Sequence, residues 1–329
     1  MSDELRVRGL TVAFRDDRPV LEDVSLDVPQ GEVLALVGES GSGKSMTAMS
    51  VMRLLPDGAR LSAEEIAFGD DDILGADERR MNAIRGGRIS MLFQQPKRML
   101  DPTATVGSQV AEPLRKYLGM NRRQAHARAV ELLADVGIPE PERRVRAYAH
   151  QLSGGIAQRV MIAIALAAQP ELLIADEPTT ALDVTVEAQI LQLIQAKKRQ
   201  LGMSVLFISH DLGVVSSIAD RIAVMYAGRI VEEGTVQQIL SAPQHPYTQA
   251  LIKCSLLEPQ QDGRFYVIPG DVTTARTMTT GCRFMPRCPV THALGIEGHC
   301  VGDEPALTGC GGEGHRSRCW ATIERLVDA

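Results

Sequence analysis

Apolar and polar positions alternate along this chain at two different spacings. Val24, Leu26 and Val28 are separated by polar residues, as on a half-buried strand, and the turn Pro29-Gln30-Gly31 follows. Val33-Leu34-Ala35-Leu36-Val37 is an unbroken apolar run of strand length, and Ser204–Ser209 and Arg221–Tyr226 read as further core strands. Longer stretches carry helical spacing. Ser45 to Leu55 is rich in Met, Ala, Val and Leu. Pro102 to Glu140 is helical in composition, with breaks at Gly119 and at Gly137-Ile138-Pro139. Gln189 to Gln200 sets Ile190, Leu193 and Ile194 on one face and ends in Lys197-Lys198-Arg199, which suits a helix C-terminus. Short strands alternating with longer helices predict an α/β fold with a mainly parallel sheet. Near residue 255 Pro, Gly, Thr and Cys rise and the periodicity stops, so a small appended segment is expected from there.

Composition narrows the classes. The 35 basic and 41 acidic residues leave a net charge of −6, which does not suggest a nucleic-acid partner. The acidic start Met1-Ser2-Asp3-Glu4 runs straight into strand-like sequence, so no signal peptide is expected. No apolar stretch approaches the ~20 residues that span a bilayer. Any membrane role is therefore expected to come through partners.

The chemistry begins at Gly38-Glu39-Ser40-Gly41-Ser42-Gly43-Lys44-Ser45, which fits the phosphate-binding loop G-x-x-x-x-G-K-[ST]. Glycines let successive amides point into one concavity that can cradle phosphate oxygens. Lys44 would reach the β- and γ-phosphates and the Ser45 hydroxyl would ligate Mg²⁺. Strand, loop and helix follow in the order this requires. Downstream, Leu172-Leu173-Ile174-Ala175-Asp176-Glu177 is an apolar strand ending in two carboxylates. Adjacent strand residues face opposite ways, so the pair can divide its work. Asp176 would hold Mg²⁺, while Glu177 would polarise the water that attacks the γ-phosphate.

Between these elements, Leu152-Ser153-Gly154-Gly155-Ile156-Ala157-Gln158-Arg159 resembles the signature motif of ATP-binding-cassette ATPases. The family's other motifs stand in order: Gln94 as the Q-loop glutamine, Ala181-Leu182-Asp183 as the D-loop, and His210 in Ser209-His210-Asp211 as the switch histidine. Phe14 falls where the family places an aromatic against adenine. The resemblance covers about residues 5 to 255. It implies a P-loop core over 1–255, with a helical subdomain near 96–165 that grips membrane subunits, and an extension over 256–329. It further implies that Phe14, Gly38, Ser40, Gly41, Ser42, Gly43, Lys44, Ser45, Met46, Gln94 and Ser153 to Gly155 contact ATP. Ser45, Gln94 and Asp176 would hold Mg²⁺, and Glu177, His210 and Lys44 would be catalytic. In the family two such domains pair head to tail, so that the signature motif of one closes on the ATP of the other. Gln95 is a departure, because most relatives carry an acid directly after the Q-loop glutamine.

Two stretches resemble the ATP-binding subunits of bacterial oligopeptide, dipeptide and nickel permeases. They are Ser209-His210-Asp211-Leu212-Gly213-Val214-Val215 and His245-Pro246-Tyr247-Thr248-Gln249-Ala250-Leu251. Pro246 favours an extended approach, and Tyr247 could anchor the tail on the core. The resemblance implies peptide uptake powered at the cytoplasmic face of the membrane. The implied partners are a second ATPase, two permease subunits and an extracytoplasmic solute-binding protein. Nickel or metal-chelate uptake is the alternative cargo. A soluble cassette protein of DNA repair or translation is the competing class, although those usually carry a coiled-coil insertion or two cassettes, and neither is seen here.

Five of the six cysteines lie in the last fifty residues. Cys282, Cys288, Cys300 and Cys319 resemble a set that binds an iron–sulfur cluster in some of these subunits. Four thiolates can equally hold Zn²⁺ or simply pack as reduced thiols. The absence of a C-x2-C pair weakens a zinc ribbon, Cys310 complicates the ligand set, and disulfides are not expected in an intracellular chain. His292, His299 and His315 are less favoured ligands. Cys254 stands apart and is expected to be buried or inert.

Overall fold

The computed structural model describes residues 3–14, 19–180, 182–256, 265–276, 278 and 280–327. The chain forms two compact units, one of Pro29–Gly31 with Gly75–Phe207, the other of Ser2–Val28, Glu32–Leu74 and Ile208–Ala329. Buried strands alternate with amphipathic helices in an α/β architecture.

The second unit begins with β1 (Asp3–Ala13) and β2 (Pro19–Pro29), whose alternating pattern is realised as burial of Leu5, Val7, Val24, Leu26 and Val28. The unbroken run becomes β3 (Val33–Val37), buried at all five positions, and leads through a loop into the helix Lys44–Val51. After β4 (Arg60–Ser62), β5 (Glu65–Phe68) and β6 (Asp71–Asp72), one sheet is complete in the order β2-β1-β5-β6, with β4 also on β1.

In the first unit β7 (Ile89–Leu92) pairs in parallel with β8 (Leu172–Asp176), so that Leu92 stands opposite Ala175. The three longest helices between them in sequence are Val106–Leu118, Arg122–Asp135 and Gly154–Leu166. Each starts at a side chain that accepts an orphan amide, namely Thr105, Asn121 and Ser153. Gly119, at φ +64°, ends the first of them where the break was expected. The helix predicted over Gln189–Gln200 runs from Val184 to Leu201, and its buried face is Ile190, Leu191 and Ile194, with Leu193 half-buried. Leu191 and Leu193 sit on either side of the same stripe, and packing takes the former.

β9 (Ser204–Ser209) is buried throughout. In the second unit, Asp211 then caps the helix Leu212–Ile218, and β10 (Arg221–Tyr226) pairs in parallel with β3. β11 (Arg229–Thr235) returns antiparallel, with an irregularity between Val224 and Met225. The aperiodic tail is not merely appended. Its β12 (Thr308–Gly309) and β13 (Arg316–Ser317) extend this sheet in the order β12-β13-β11-β10-β3, with Glu232 opposite Ser317. Two-residue strands leave no readable alternation, which is why the pattern gave no sign of them.

Candidate functional site

Within the second unit, β3 ends at Gly38 and the loop to Ser45 turns on glycines. Gly41 and Gly43 have φ of +79° and +116°. A Cβ on Gly38 would lie 2.2 Å from the Met225 carbonyl oxygen, and one on Gly43 would lie 2.5 Å from Leu21 Cδ2. Only glycine lets the loop seat this closely. Lys44 is 5% exposed, and its Nζ donates to the carbonyl oxygens of Gly38 at 2.8 Å and Glu39 at 3.0 Å. Ser40 and Gly41 are exposed, whereas Ser42 is buried with its Oγ lacking a partner. Ser45 and Met46 lie half-buried on the first helical turn. That helix has no side-chain cap, so its leading amides remain suited to an anion. An orphaned hydroxyl, uncapped amides and a lysine folded over the loop together fit a bound triphosphate.

Phe14 is half-buried just past β1, and its carbonyl accepts from Arg60 at 3.3 Å. His210 is exposed at the end of β9, on a turn set by its neighbours. The Asp211 amide donates to Ser209 Oγ at 3.0 Å, and Asp211 Oδ1 accepts from the Gly213 amide at 2.7 Å.

Within the first unit, the β7–β8 register explains a second grouping. Gln94 and Glu177 lie two residues beyond the opposed pair Leu92 and Ala175. Gln94 Nε2 donates to Glu177 Oε2 at 2.7 Å, and Thr180 Oγ1 donates to the same oxygen at 2.9 Å. Asp176, the last residue of β8, is 6% exposed, and Glu177 leaves the strand at φ +47°. Gln95, the departure from the usual acid, sits at φ +64° and precedes the short helix Pro96–Met99. Ser153 is exposed, and its Oγ accepts from the Ile156 amide at 3.4 Å. Gly154 and Gly155 form the opening turn of their helix. A Cβ on Gly155 would lie 3.0 Å from Val186 Cγ1, beside the helix that Asp183 caps through the Val186 amide at 2.9 Å. Of the D-loop motif, Ala181 lies outside the described residues.

The tail residues meet the phosphate loop, all within the second unit. Tyr247 is fully buried, and its hydroxyl accepts from the Glu39 amide at 2.9 Å. Burial holds the Tyr247 phenol well above its usual pKa. Arg287 reaches the Glu39 carboxylate with two nitrogens, at 2.8 and 3.0 Å. Neither Glu39, Arg287 nor Thr180 was singled out by the sequence. Glu39 occupies a variable position of the motif, and Arg287 is 248 residues from it, so no local pattern joins them.

Cys282, Cys288, Cys300 and Cys319 line one cavity with Phe284, Val290, Ile296 and Ala321. All six cysteines are thiols. Burial pushes the Cys282 and Cys319 thiols up, toward the protonated form, and burial likewise pushes Cys310 up to about 11. Among the described residues, no three His, Cys, Asp or Glu side chains are grouped to hold a metal ion. The four cysteines thus converge on one largely apolar cavity. His315 is engaged elsewhere, its Nε2 lying 2.8 Å from Glu232 Oε1. Cys254 is half-buried, with its Sγ 3.5 Å from the Tyr266 carbonyl oxygen.

Among the described residues no helix is long and apolar enough to cross a membrane. Residues 21–180 match the family described as ABC transporter, and residues 231–293 match the oligopeptide/dipeptide transporter C-terminal region. The probable D,D-dipeptide transport ATP-binding protein of Escherichia coli (strain K12) is 43% identical over 95% of this chain and 94% of its own length. The dipeptide transport ATP-binding protein of Haemophilus influenzae is 45% identical over 87% of each chain. Among solved structures, a dimeric ATP-binding cassette in a post-hydrolysis state with ADP and phosphate aligns at TM-score 0.64. It is 30% identical and covers 70% of this chain and 98% of its own.

Proposed function

The chain belongs to the ABC transporter family of ATPases, and from that premise we propose that it powers uptake of di- or oligopeptides through an importer complex. The observation that carries this reading is the extent of the likeness. Relatives named for dipeptide transport match from the phosphate loop through the C-terminal region, not over the ATPase alone. That favours peptides over a nickel or chelate cargo, and an importer over a soluble cassette protein. The nucleotide-binding domain is taken as 1–255, with the helical subdomain near 96–165, and the extension as 256–329.

Lys44 and the loop amides would stabilise charge on the transferring phosphoryl group, and Glu177 would orient water in line with it. Ser45, Gln94 and Asp176 would hold Mg²⁺, which when bound neutralises charge on the β- and γ-phosphate oxygens. His210 would contact the γ-phosphate, and Phe14 would stack on adenine. Ser153 to Gly155 would meet the ATP of a second, paired ATPase subunit.

In the first unit an open groove has Met91, Phe93, Met99 and Met161 along it and Glu112 and Lys116 among its lining residues. Adaptable methionines beside charged groups suit an amphipathic helix. One of the two permease subunits would dock there, with this chain at the cytoplasmic face of the membrane and a solute-binding protein delivering cargo from the other side. The iron–sulfur part of the reading rests only on the four cysteines sharing one cavity. Iron and acid-labile sulfide in anaerobically isolated protein would support it, and their absence would leave reduced thiols.

The test is to isolate the Glu177→Gln variant with ATP from its native membranes. Recovery with two permeases, a second ATPase and a solute-binding protein supports the importer. Recovery with ribosomal or nucleic-acid partners overturns it.

A further inference from the structure

Glu39 is an unexpected residue in a loop that receives phosphates, because its carboxylate repels the same anion that the surrounding amides attract. The second unit answers that charge from far along the chain. Arg287 donates through Nη1 to Glu39 Oε2 at 2.8 Å and through Nη2 to Oε1 at 3.0 Å, the paired geometry in which guanidinium and carboxylate bind most strongly. The Arg287 side chain is 5% exposed. It is fixed from behind, since Nε donates to the Pro269 carbonyl at 2.6 Å and Nη1 also donates to the Tyr226 hydroxyl at 3.2 Å.

Independent contacts converge on the same stretch. The Tyr247 hydroxyl accepts from the Glu39 amide, and Arg276 donates to the Gly41 carbonyl. The Glu39 carbonyl in turn accepts from Lys44 Nζ at 3.0 Å and from the Ser42 amide at 3.1 Å. Tyr226, Tyr247 and Phe284 pack as one aromatic cluster behind these contacts, with ring centroids 4.6 to 5.4 Å apart. Side chains from the region after β11 therefore hold Glu39 and Gly41.

We propose that Arg287 is a positioning residue for ATP binding: it neutralises Glu39 and, together with Tyr247, fixes the first half of the phosphate loop before nucleotide arrives. The C-terminal region is then part of the nucleotide site. The inference rests on the reading of Gly38 to Ser45 as the phosphate loop and adds to it the source of the loop's shape and charge balance.

The charge argument makes a prediction whose sign a purely structural role does not share. Arg287→Met leaves the Glu39 carboxylate uncompensated beside the phosphates. Arg287→Met with Glu39→Gln removes the repulsion as well. Affinity of the full-length chain for a non-hydrolysable MgATP analogue is measured by titration calorimetry, with the nucleotide-free melting temperature recorded for each variant. Arg287→Met is expected to weaken binding by about 2- to 30-fold, and the double variant is expected to recover most of that loss. Binding by Arg287→Met at wild-type strength overturns the inference, as does a double variant no better than the single.

If Arg287→Met does not fold, Tyr247→Phe decides, because it removes only the hydroxyl that receives the Glu39 amide. A few-fold weaker affinity at an unchanged melting temperature supports the inference, and unchanged affinity overturns it. Lys44→Ala separates this from the underlying reading. Normal affinity there removes the phosphate loop itself. Lost affinity there, with normal affinity in Arg287→Met, removes only the positioning role.

Discussion

Gln94 donates to the Glu177 carboxylate across 2.7 Å, although the two are 83 residues apart in sequence. Parallel pairing of β7 with β8 puts both side chains two positions past the end of the same ladder. Thr180 donates to the same oxygen, and Glu177 is held in the left-handed region at φ +47°. A non-glycine residue there carries a backbone cost of about 1–3 kcal/mol, which persists only where surrounding contacts enforce it. Here two hydrogen bonds and a strand end fix where the carboxylate points.

Glu177→Gln is the first consequence. The amide nearly preserves the shape but cannot polarise water as a carboxylate does. Hydrolysis should fall by about 100-fold or more while MgATP binding persists. Phosphate release and equilibrium nucleotide binding on the same preparation check it. Substantial turnover in this variant would remove Glu177 from the chemistry.

Gly38→Ala tests the loop without touching a charge. The added Cβ would lie 2.2 Å from the Met225 carbonyl oxygen, which belongs to a buried strand and cannot yield cheaply. The loop should be displaced and MgATP affinity lost. Gly31→Ala, at a φ of +74° with nothing within 4 Å of its Cβ, is the control at a similarly strained glycine outside the loop. Equal affinities in the two variants would show that the close seating does not matter.

His245 gives the protein a pH dependence of definite sign. Burial lowers its pKa from 6.5 to about 4, opposed by the Glu232 carboxylate and by a hydrogen bond to the Arg318 backbone, with the Arg318 charge adding a smaller lowering. Its Nδ1 accepts from the Tyr247 amide at 3.0 Å, and it is buried near His315, which is paired with Glu232. A folded pKa below the unfolded one means that the unfolded chain binds the proton more readily. The stability is therefore complete above pH 6.5 and is lost as pH falls toward 4. On the order of 3 kcal/mol is at stake over that window. Urea midpoints across it should decline in the wild type and decline less in His245→Asn, whose side-chain oxygen can still accept the amide.

The sequence made some of this legible for definite reasons. Runs such as Val33–Val37 and Leu172–Ala175 are buried on both faces, so their strands show as unbroken apolar stretches. The phosphate-loop glycines show because their backbone tolerates nothing larger. Tyr247 was expected to anchor the tail, and its hydroxyl does receive the Glu39 amide. The tail's attachment was otherwise hidden. It depends on Arg287, Arg283 and Arg318 reaching carboxylates and carbonyls far away in the chain, and an arginine bound for the interior reads in sequence like one bound for solvent. The choice of Leu191 over Leu193 was hidden as well, because both fit helical spacing and only the facing surface selects between them.

The cysteine cavity can be probed through its backbone. Gly281 has φ +75°, and a Cβ there would lie 2.4 Å from the Cys300 carbonyl oxygen and 2.6 Å from that of Val301. The next residue, Cys282, donates its amide to the same Cys300 carbonyl at 2.8 Å, so this contact is what brings two of the four thiols together. Gly281→Ala must break it or shift the helix Glu297–Gly302. The expected loss is about 2 kcal/mol or more. Gly295→Ala is the control, since its φ of +67° carries similar backbone strain but its Cβ meets nothing within 4 Å. If close packing protects the cavity, Cys282 and Cys300 should alkylate faster in the native Gly281→Ala protein and remain slow in Gly295→Ala. Mass spectrometry of timed iodoacetamide labelling reads this directly, and equal rates in both variants would mean that the two thiols are shielded by something other than this backbone contact.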